Sequence, residues 1–191
     1  MSREIWLIRH GETAWSLSGA HTGRTDIPLT PAGRENAVAV GRWFKGRSFA
    51  LVLTSPLSRA VETCRLAGYG EVAQVDPNLY EWNYGDYEGR TTTEIRKERP
   101  NWSLWTDGVP HGETVEQVAA RAEAVLVRVL QSEGDVALFA HGHILRILTA
   151  RWLDLPPNCG RLFALATATV STLGYERETR VITQWNLPVG A

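Results

Sequence analysis

Ile5-Trp6-Leu7-Ile8-Arg9-His10-Gly11-Glu12-Thr13 runs from a short apolar segment straight into an arginine, a histidine and a glycine. Four to eight apolar residues that end at a glycine are typical of a buried β-strand. Packing does not require a charged pair at the end of such a strand, but open α/β sheets place their ligand sites outside the carboxyl ends of their strands. This stretch therefore predicts a buried strand that delivers Arg9 and His10 to a ligand site.

The composition is ordinary for a globular chain and argues against several functional classes. Of the 191 residues, 43% are hydrophobic and 21% are charged, and the formal net charge is −1, which favours one domain or at most two. This charge balance, without a basic cluster between aromatic residues, argues against nucleic-acid binding. No apolar run approaches the ~18 residues that span a bilayer, and we recognise no signal peptide. We therefore expect a cytoplasmic protein that binds no membrane and keeps Cys64 and Cys159 as reduced thiols.

Strand-length apolar segments alternate with helical patterns along the chain. After the first strand, we predict strands at residues 49–54, 71–75 and 136–140, and an antiparallel pair at 166–175 and 180–185. Helices are expected to open at Thr30-Pro31, after residues 55–58, near Thr93, at Thr114 and at Ile144. Residues 14–29 are predicted as a loop and 79–89 as irregular. The alternation predicts an α/β three-layer sandwich, with a mostly parallel central sheet, helices on both faces and one antiparallel edge.

Three of the predicted strands end in side chains suited to chemistry. The first ends at Arg9 and His10, the second leads to Ser55 and Arg59, and the strand at 136–140 leads to His141-Gly142-His143. In a parallel sheet, these strand ends meet at one edge, beside helix N-termini with free N–H groups. The resulting pocket would be strongly positive. It would suit a dianionic phosphoryl group, because arginine forks match phosphate geometry.

Four motifs follow one another along the chain, at residues 9–13, 55–60, 79–89 and 140–143. In this order and at these separations they resemble the histidine phosphatase superfamily, also called phosphoglycerate-mutase-like, over about residues 5–152. Residues 22–30, 102–108 and 112–114 are similar to the sedoheptulose-1,7-bisphosphatase and mycobacterial acid-phosphatase type. The resemblance implies a single histidine phosphatase domain over residues 1–191. It also implies a metal-independent phosphomonoesterase that needs no cofactor and acts on a small phosphorylated metabolite, such as a sugar phosphate or bisphosphate.

The resemblance also implies how the phosphoryl group is handled. His10 would be the nucleophile that becomes phosphorylated, and a neutral imidazole is chemically able to attack phosphorus. The residues alone do not say why His10 rather than His141 should attack. His141 would donate to a phosphoryl oxygen, and Arg9 and Arg59 would hold the other oxygens as charge spreads over them.

The leaving alcohol needs a proton, and the resemblance assigns this task to Glu81. Such a general acid must be protonated at the working pH, so we expect its site to raise the pKa of Glu81. Glu88 is the competing carboxylate for this role. Glu12 is expected to support the loop structurally.

Nine further residues are candidates for binding the substrate. Ser16 stands where mutase-like members usually have asparagine, and a plain loop serine is the alternative. Arg146 would reach a second phosphate if it acts as in the sedoheptulose-bisphosphatase-like group, and would otherwise be a surface or core-edge arginine. Trp82, Trp102 and Trp105 would either cover the pocket or pack in the core. The full candidate set is Ser16, His21, Thr22, Gly23, Ser55, Tyr84, Gly142, His143 and Arg146.

Three other functions remain open at this point. Phosphoglycerate mutases of the superfamily carry a long basic insertion after the general-acid segment, whereas only residues 90–110 follow it here. A metal hydrolase would use His10, His141, His143 and a carboxylate, although two neighbouring arginines disfavour a cation. The third alternative is a phosphate- or phosphopeptide-binding module without catalysis. Both a monomer and a homodimer are compatible with the sequence.

Overall fold

The computed structural model describes residues 3–189, and these residues are arranged around a six-stranded sheet of order β3-β2-β4-β1-β5-β6. The first four strands run parallel, whereas β5 is antiparallel to β1 and β6 is antiparallel to β5. The predicted α/β fold with a mostly parallel sheet and an antiparallel edge is confirmed. The strands are β1 (Ile5–Arg9), β2 (Leu51–Thr54), β3 (Ala73–Val75), β4 (Val136–Ala140), β5 (Thr169–Glu176) and β6 (Thr179–Pro188).

Helices cover both faces of the sheet. The helices are α1 (Ala14–Ser18), α2 (Pro31–Phe44), α3 (Ser58–Leu66), α4 (Thr92–Glu98), α5 (Leu104–Asp107), α6 (Val115–Leu130) and α7 (Gly142–Trp152). Short 3₁₀ turns lie at Pro77–Leu79, Gly85–Tyr87 and Pro157–Leu162. In the part of the chain that the structure describes, no helix is both long and apolar enough to cross a membrane.

Alternating side chains of β1 explain why there are two layers of helices. Ile5 and Leu7 enter a core shared with α6 and α7, whereas Trp6 and Ile8 enter a core shared with α2 and α3. Because successive side chains of a strand point to opposite faces, a strand that is apolar at every position must be covered on both sides. This double burial leaves the strand ends as the place for polar groups.

The helix ends follow local chemistry that the sequence displays. The Thr30 hydroxyl accepts from the N–H of Gly33 and Pro31 occupies the first turn, which confirms the predicted start of α2. Thr114 and Gln117 form the expected capping box at α6.

Residues 14–29 differ from the prediction, because they contain the five-residue helix α1 instead of an uninterrupted loop. A capping box between Thr13 and Ser16 starts α1, and Gly19, with a φ of 75°, ends it. The helix buries none of its residues, so it has no apolar periodicity by which the sequence could reveal it.

Candidate active site

The carboxyl edge of the sheet brings the three predicted strand ends together. β1 and β4 are parallel neighbours, so His10 and His141 follow them side by side, with ring centroids 5.1 Å apart. Ser55 follows β2, the other neighbour of β4, and its N–H donates to the carbonyl of Phe139 at 2.9 Å. Sequence-distant motifs therefore meet because parallel strands end at the same edge.

His10 is held as a neutral ring with a defined proton position. Its side chain is buried, with the residue 4% exposed, and Nδ1 donates to the carbonyl of Gly11 at 2.7 Å. Burial, together with the charges of Arg9 and Arg59, holds the pKa of His10 well below its ordinary value. A neutral imidazole with its proton on Nδ1 has its lone pair on Nε2. His10 therefore has one nitrogen available for attack.

Arg9 carries a buried donor that has no hydrogen-bond partner in the described part of the chain. Its Nη1 donates to the carbonyl of Leu165 at 2.5 Å, but its Nε finds no acceptor among residues 3–189. The guanidinium lies against Gly142, where an added Cβ would be 3.4 Å from the guanidinium carbon. An unsatisfied buried donor costs about 1–3 kcal/mol, so this N–H suits an anionic ligand that would satisfy it.

Arg59 and His141 are fully buried, and the protein engages their donors. Arg59 Nε donates to His141 Nδ1 at 3.2 Å, and because Nε can only donate, the His141 proton lies on Nε2, which faces Ser55 Oγ at 2.7 Å. The other Arg59 nitrogens donate to the carbonyls of Thr22, Gly23 and Thr25. Direct contact of Arg59 and His141 with a phosphoryl group therefore stays a prediction, and it requires an exchange of these partners.

Glu81 faces His10 across a cavity, but its charge state differs from the expectation. Its carboxylate is 4% exposed and accepts hydrogen bonds of 2.9–3.0 Å from the N–H groups of Trp82, His143 and Ile144. Burial raises the pKa of Glu81, but the hydrogen bonds from His143 and the positive charge that His143 and His141 carry when protonated outweigh it and hold the pKa well below its usual range. The expected raised pKa is therefore wrong for the free site, where Glu81 is ionised.

Glu88 occupies a different position from its competitor for the acid role. Its carboxylate accepts from three successive N–H groups, those of Gly23, Arg24 and Thr25, at 2.9–3.4 Å. Residues 22–25 are thus held on one side by the Glu88 carboxylate and on the other by the Arg59 guanidinium. We call this pair of contacts the loop clamp. The geometry favours Glu81 as the acid, because Glu88 faces the loop and not the cavity.

The cavity between these groups has a volume of about 190 Å³. Larger depressions of about 710 and 720 Å³ lie elsewhere, but neither is lined by His10 or Glu81. Of the nine substrate-binding candidates, Gly23 and Ser55 lie behind the cavity wall, where an added Cβ on Gly23 would be 2.1 Å from Glu88 Oε1. The other seven line the cavity: Ser16, His21, Thr22, Tyr84, Gly142, His143 and Arg146.

Aromatic and imidazole rings form one wall of the cavity. The Tyr84 hydroxyl lies 2.6 Å from His143 Nδ1, and the His21 and Tyr84 ring centroids are 4.9 Å apart. Burial and the charge of His143 lower the pKa of His21 to about 4. Burial also lowers the pKa of His143 and raises the pKa of Tyr84 well above its usual value, so the three rings of this wall are uncharged near pH 7.

Ser16 and Arg146 are both engaged by neighbouring backbone. The Ser16 hydroxyl donates to the carbonyl of Thr13 and accepts from its N–H, both at 2.9 Å, so it completes the capping box in which Thr13 is the N-cap of α1. Arg146 donates through Nε and Nη2 to the carbonyls of Gly160 and Arg161 and stacks over the Trp105 ring at 4.8 Å. Its Nη1 makes no hydrogen bond to residues 3–189 and remains available to a ligand.

Comparison with known proteins decides the family. A family model for the histidine phosphatase superfamily (branch 1) matches residues 5–188. The chain belongs to the histidine phosphatase superfamily. It is 41% identical to an acid phosphatase of Mycobacterium tuberculosis over 183 residues, which cover 94% of this chain and 90% of that protein. It is 39% identical to the sedoheptulose 1,7-bisphosphatase of Saccharomyces cerevisiae, over 78% of this chain and 67% of that one.

A solved structure of an open reading frame product from Mycobacterium tuberculosis superimposes with a TM-score of 0.93 at 40% identity, over 98% of this chain and 99% of that one. These findings confirm the resemblance and, with it, the assignment of this histidine phosphatase as an enzyme.

In the phosphatase, four of the six ring nitrogens of His10, His141 and His143 contact protein groups, which does not favour a metal hydrolase. Within residues 3–189, no three His, Cys, Asp or Glu side chains are grouped as metal ligands. His10 Nδ1 contacts a carbonyl, both nitrogens of His141 contact Arg59 and Ser55, and His143 Nδ1 contacts the Tyr84 hydroxyl. The arrangement therefore supports anion binding more than cation binding.

The three tryptophans of the phosphatase divide between core and cavity. Trp82 and Trp102 are buried, and their indole N–H groups donate to the carbonyls of Glu113 and Gly108. Trp105 is half-buried and, together with Trp102, lines a second cavity of about 200 Å³ that also touches His21 and His143. His111 is an exposed loop residue 2.9 Å from Asp86.

Two supporting residues of the phosphatase, Leu165 and Arg121, escaped the sequence analysis. Leu165 lines the cavity from the loop before β5. Arg121 of α6 donates to the carbonyls of Asn78 and Tyr80 and pairs with Glu113 at 2.8 Å, which holds the segment that carries Glu81. Glu12 accepts from the Thr30 hydroxyl at 2.7 Å, in the supporting position expected of it. No local pattern marks Leu165 or Arg121, because their partners are distant in the chain.

Proposed function

We propose that this histidine phosphatase hydrolyses small phosphorylated metabolites, such as a sugar phosphate or bisphosphate, through a phosphohistidine on His10 and without a metal ion. The observation that carries the proposal is the hydrogen bond from His10 Nδ1 to the Gly11 carbonyl, which leaves Nε2 free to attack. Arg9 and Glu81 line the same cavity, and within residues 3–189 the buried Nε of Arg9 has no hydrogen-bond partner. Nucleophile, anion donor and proton carrier are thus adjacent.

The reaction has two steps. First, His10 Nε2 forms a bond to phosphorus, the ester P–O bond breaks, and the departing alkoxide takes a proton from Glu81. Arg9 stabilises the negative charge on the phosphoryl oxygens during transfer. Second, the Glu81 carboxylate takes a proton from water as the water attacks phosphorus, and the P–N bond breaks to release phosphate and neutral His10.

The proton on Glu81 must come from outside the free site, because Glu81 is ionised there. A phosphate monoester has a second pKa of about 6, so its monoanion brings one proton. A dianion beside a carboxylate raises the pKa of that carboxylate through like-charge repulsion, so the proton passes to Glu81 in the complex. We therefore expect kcat/KM to fall as the pH rises above about 6, in line with the name of the mycobacterial relative.

The size and lining of the site support a small substrate. The cavity of about 190 Å³ adjoins the second cavity of about 200 Å³ through His21 and His143, and Thr92 and Ser103 line the latter. Hydroxyl and aromatic side chains together suit a polyol. Arg146, with its available Nη1, is our candidate for a second phosphate.

The decisive experiment measures phosphate release from sugar phosphates, bisphosphates and phosphoglycerates with EDTA present throughout. We expect release from one or a few sugar phosphates, loss of turnover in His10→Ala, and full activity in the control His111→Ala, which changes an exposed histidine. Interconversion of phosphoglycerates without phosphate release would favour the mutase. Inhibition by EDTA would favour the metal hydrolase, and binding without turnover would favour the binding module.

A cytoplasmic location, one domain over residues 1–191 and a monomer or homodimer remain predictions from the sequence. Light scattering of the purified protein would decide the oligomeric state.

A further inference from the structure

We propose that Thr63 is a positioning residue, whose hydroxyl holds Gly11 so that the Gly11 carbonyl keeps the His10 proton on Nδ1. This inference rests on the proposed role of His10 as nucleophile. Thr63 belongs to none of the motifs that indicated the site, and it does not line the cavity.

Thr63 makes two hydrogen bonds that connect α3 to the nucleophile. It is 0% exposed and stands one helical turn after Arg59, to whose carbonyl its hydroxyl donates at 2.6 Å. The same oxygen accepts from the N–H of Gly11 at 3.0 Å. On the other side of the Gly11 Cα, the Gly11 carbonyl accepts from His10 Nδ1 at 2.7 Å. A single side chain therefore orients the residue that fixes the imidazole.

The turn at Gly11 packs between α2 and α3, and Thr63 supplies the contact from α3. On the α2 side the fit is one of backbone against backbone: an added Cβ at Gly11 would be 2.3 Å from the carbonyl oxygen of Gly33, and the Thr30 N–H donates to the carbonyl of Glu12 at 2.9 Å. On the α3 side the contact is a hydroxyl, which a substitution can remove without changing the shape of the side chain. Removing it leaves the Gly11 N–H buried without its acceptor, and such a group turns toward another partner.

The orientation of Gly11 matters because the two tautomers of a neutral imidazole differ in reactivity. With the proton on Nδ1, the Nε2 lone pair can attack phosphorus, whereas a proton on Nε2 removes that lone pair. If the Gly11 carbonyl moves away, nothing favours the reactive tautomer. Loss of the Thr63 hydroxyl should therefore reduce the reactivity of His10 more than the binding of substrate.

Thr149 provides a matched control within the same chain. It is also 0% exposed in a helix, and its hydroxyl donates to the carbonyl four residues earlier, that of Leu145, at 2.9 Å. Unlike Thr63, it accepts no N–H from the active site. Thr149→Val therefore reports the general effect of replacing a buried helical threonine by valine.

The experiment compares Thr63→Val, Thr63→Ser and Thr149→Val by ¹⁵N NMR of the His10 ring in the free protein and by steady-state kinetics. We expect Thr63→Val to shift His10 toward the Nε2–H tautomer and to lower kcat about 10- to 100-fold with KM changed less than about twofold. Thr63→Ser keeps the hydroxyl, so it should retain the wild-type tautomer and most of kcat. Thr149→Val should match the wild type in both measurements.

The inference is overturned if Thr63→Val keeps the wild-type tautomer and loses no more kcat than Thr149→Val. If Thr63→Val does not fold, Thr63→Cys takes its place, because a thiol is a poor acceptor of similar size to serine. Retained turnover in His10→Ala would instead contradict the proposed function, whatever the NMR result. The two failures are thus distinguishable.

Discussion

Glu81 and Glu88 lie seven residues apart on one irregular segment, and the backbone binds their carboxylates in the same way. Each carboxylate accepts hydrogen bonds from three backbone N–H groups. The donors are Trp82, His143 and Ile144 for Glu81, and Gly23, Arg24 and Thr25 for Glu88. The backbone hydrogen bonds to the two carboxylates therefore do not distinguish a proton carrier from a structural carboxylate.

The difference lies in where the donors come from. The Glu81 donors include the start of α7, which places the carboxylate beside His10 in the cavity. The Glu88 donors belong to residues 22–25, whose carbonyls bind Arg59, so Glu88 completes the loop clamp. One carboxylate lies in the cavity with the proposed nucleophile and the other holds a loop, and this comparison can be tested.

Glu81→Gln should produce the largest effect. Glutamine keeps the shape of the side chain but cannot supply a proton, so hydrolysis of esters with poor leaving groups should slow by about 10²–10³-fold. Esters with good leaving groups, such as p-nitrophenyl phosphate, need little protonation and should lose far less. The measurement is kcat across a series of esters of graded leaving-group pKa. An equal loss over the whole series would contradict the acid role of Glu81.

Glu88→Gln should have a smaller effect that does not depend on the leaving group. The amide nitrogen of glutamine cannot accept hydrogen bonds from the loop N–H groups, so the loop clamp weakens. We therefore expect the free energy of unfolding to fall by about 1–3 kcal/mol. Activity should fall roughly tenfold on good and poor leaving groups alike, because Arg59 loses its support. Urea unfolding and the same ester series measure both effects.

The exposed Glu98, which pairs with Arg90, provides the control for this prediction. Glu98→Gln should leave both activity and unfolding close to the wild type. If Glu88→Gln slowed only the poor leaving groups, the roles of the two carboxylates would be reversed.

The smallest effect concerns the pH dependence of stability. The pKa of Glu81 is lower in the folded protein than in the unfolded chain, so the unfolded chain takes up this proton first as the pH falls. The stabilisation from Glu81 is therefore fully present above about pH 4.3 and is lost as the pH falls through its folded pKa. The Glu81→Gln variant lacks this pH-dependent contribution to the free energy of unfolding. Urea unfolding between pH 6 and 3 should show a steeper loss for the wild type than for the variant, and parallel curves would argue against an ionised Glu81.

The principal elements and the catalytic motifs could be predicted because their signals are local. The apolar run of β1, the Thr30-Pro31 start of α2 and the capping box at Thr114 each depend on a few consecutive residues. Parallel strands then require the motifs to meet at one edge, so Arg9, His10 and His141 could be grouped before their positions were known.

The predictions failed or stopped where partners are distant in the chain. The low pKa of Glu81 depends on His143 and His141, which lie some 60 residues away, and a general-acid motif by itself suggested the opposite direction. Ser55 and Gly23 do not line the cavity and are engaged by His141 and by the loop clamp, so their contact with substrate stays a prediction.

The order of residues was thus sufficient for the fold class and the family, and for a prediction of the reacting groups, since hydrophobic periodicity, helix caps and motif spacing are properties of short segments. The tertiary structure alone decided which carboxylate faces His10, in which direction its pKa shifts and which threonine binds the turn beside the proposed nucleophile. These properties arise from burial and from hydrogen bonds across the sheet edge, and both exist only once distant segments have packed together.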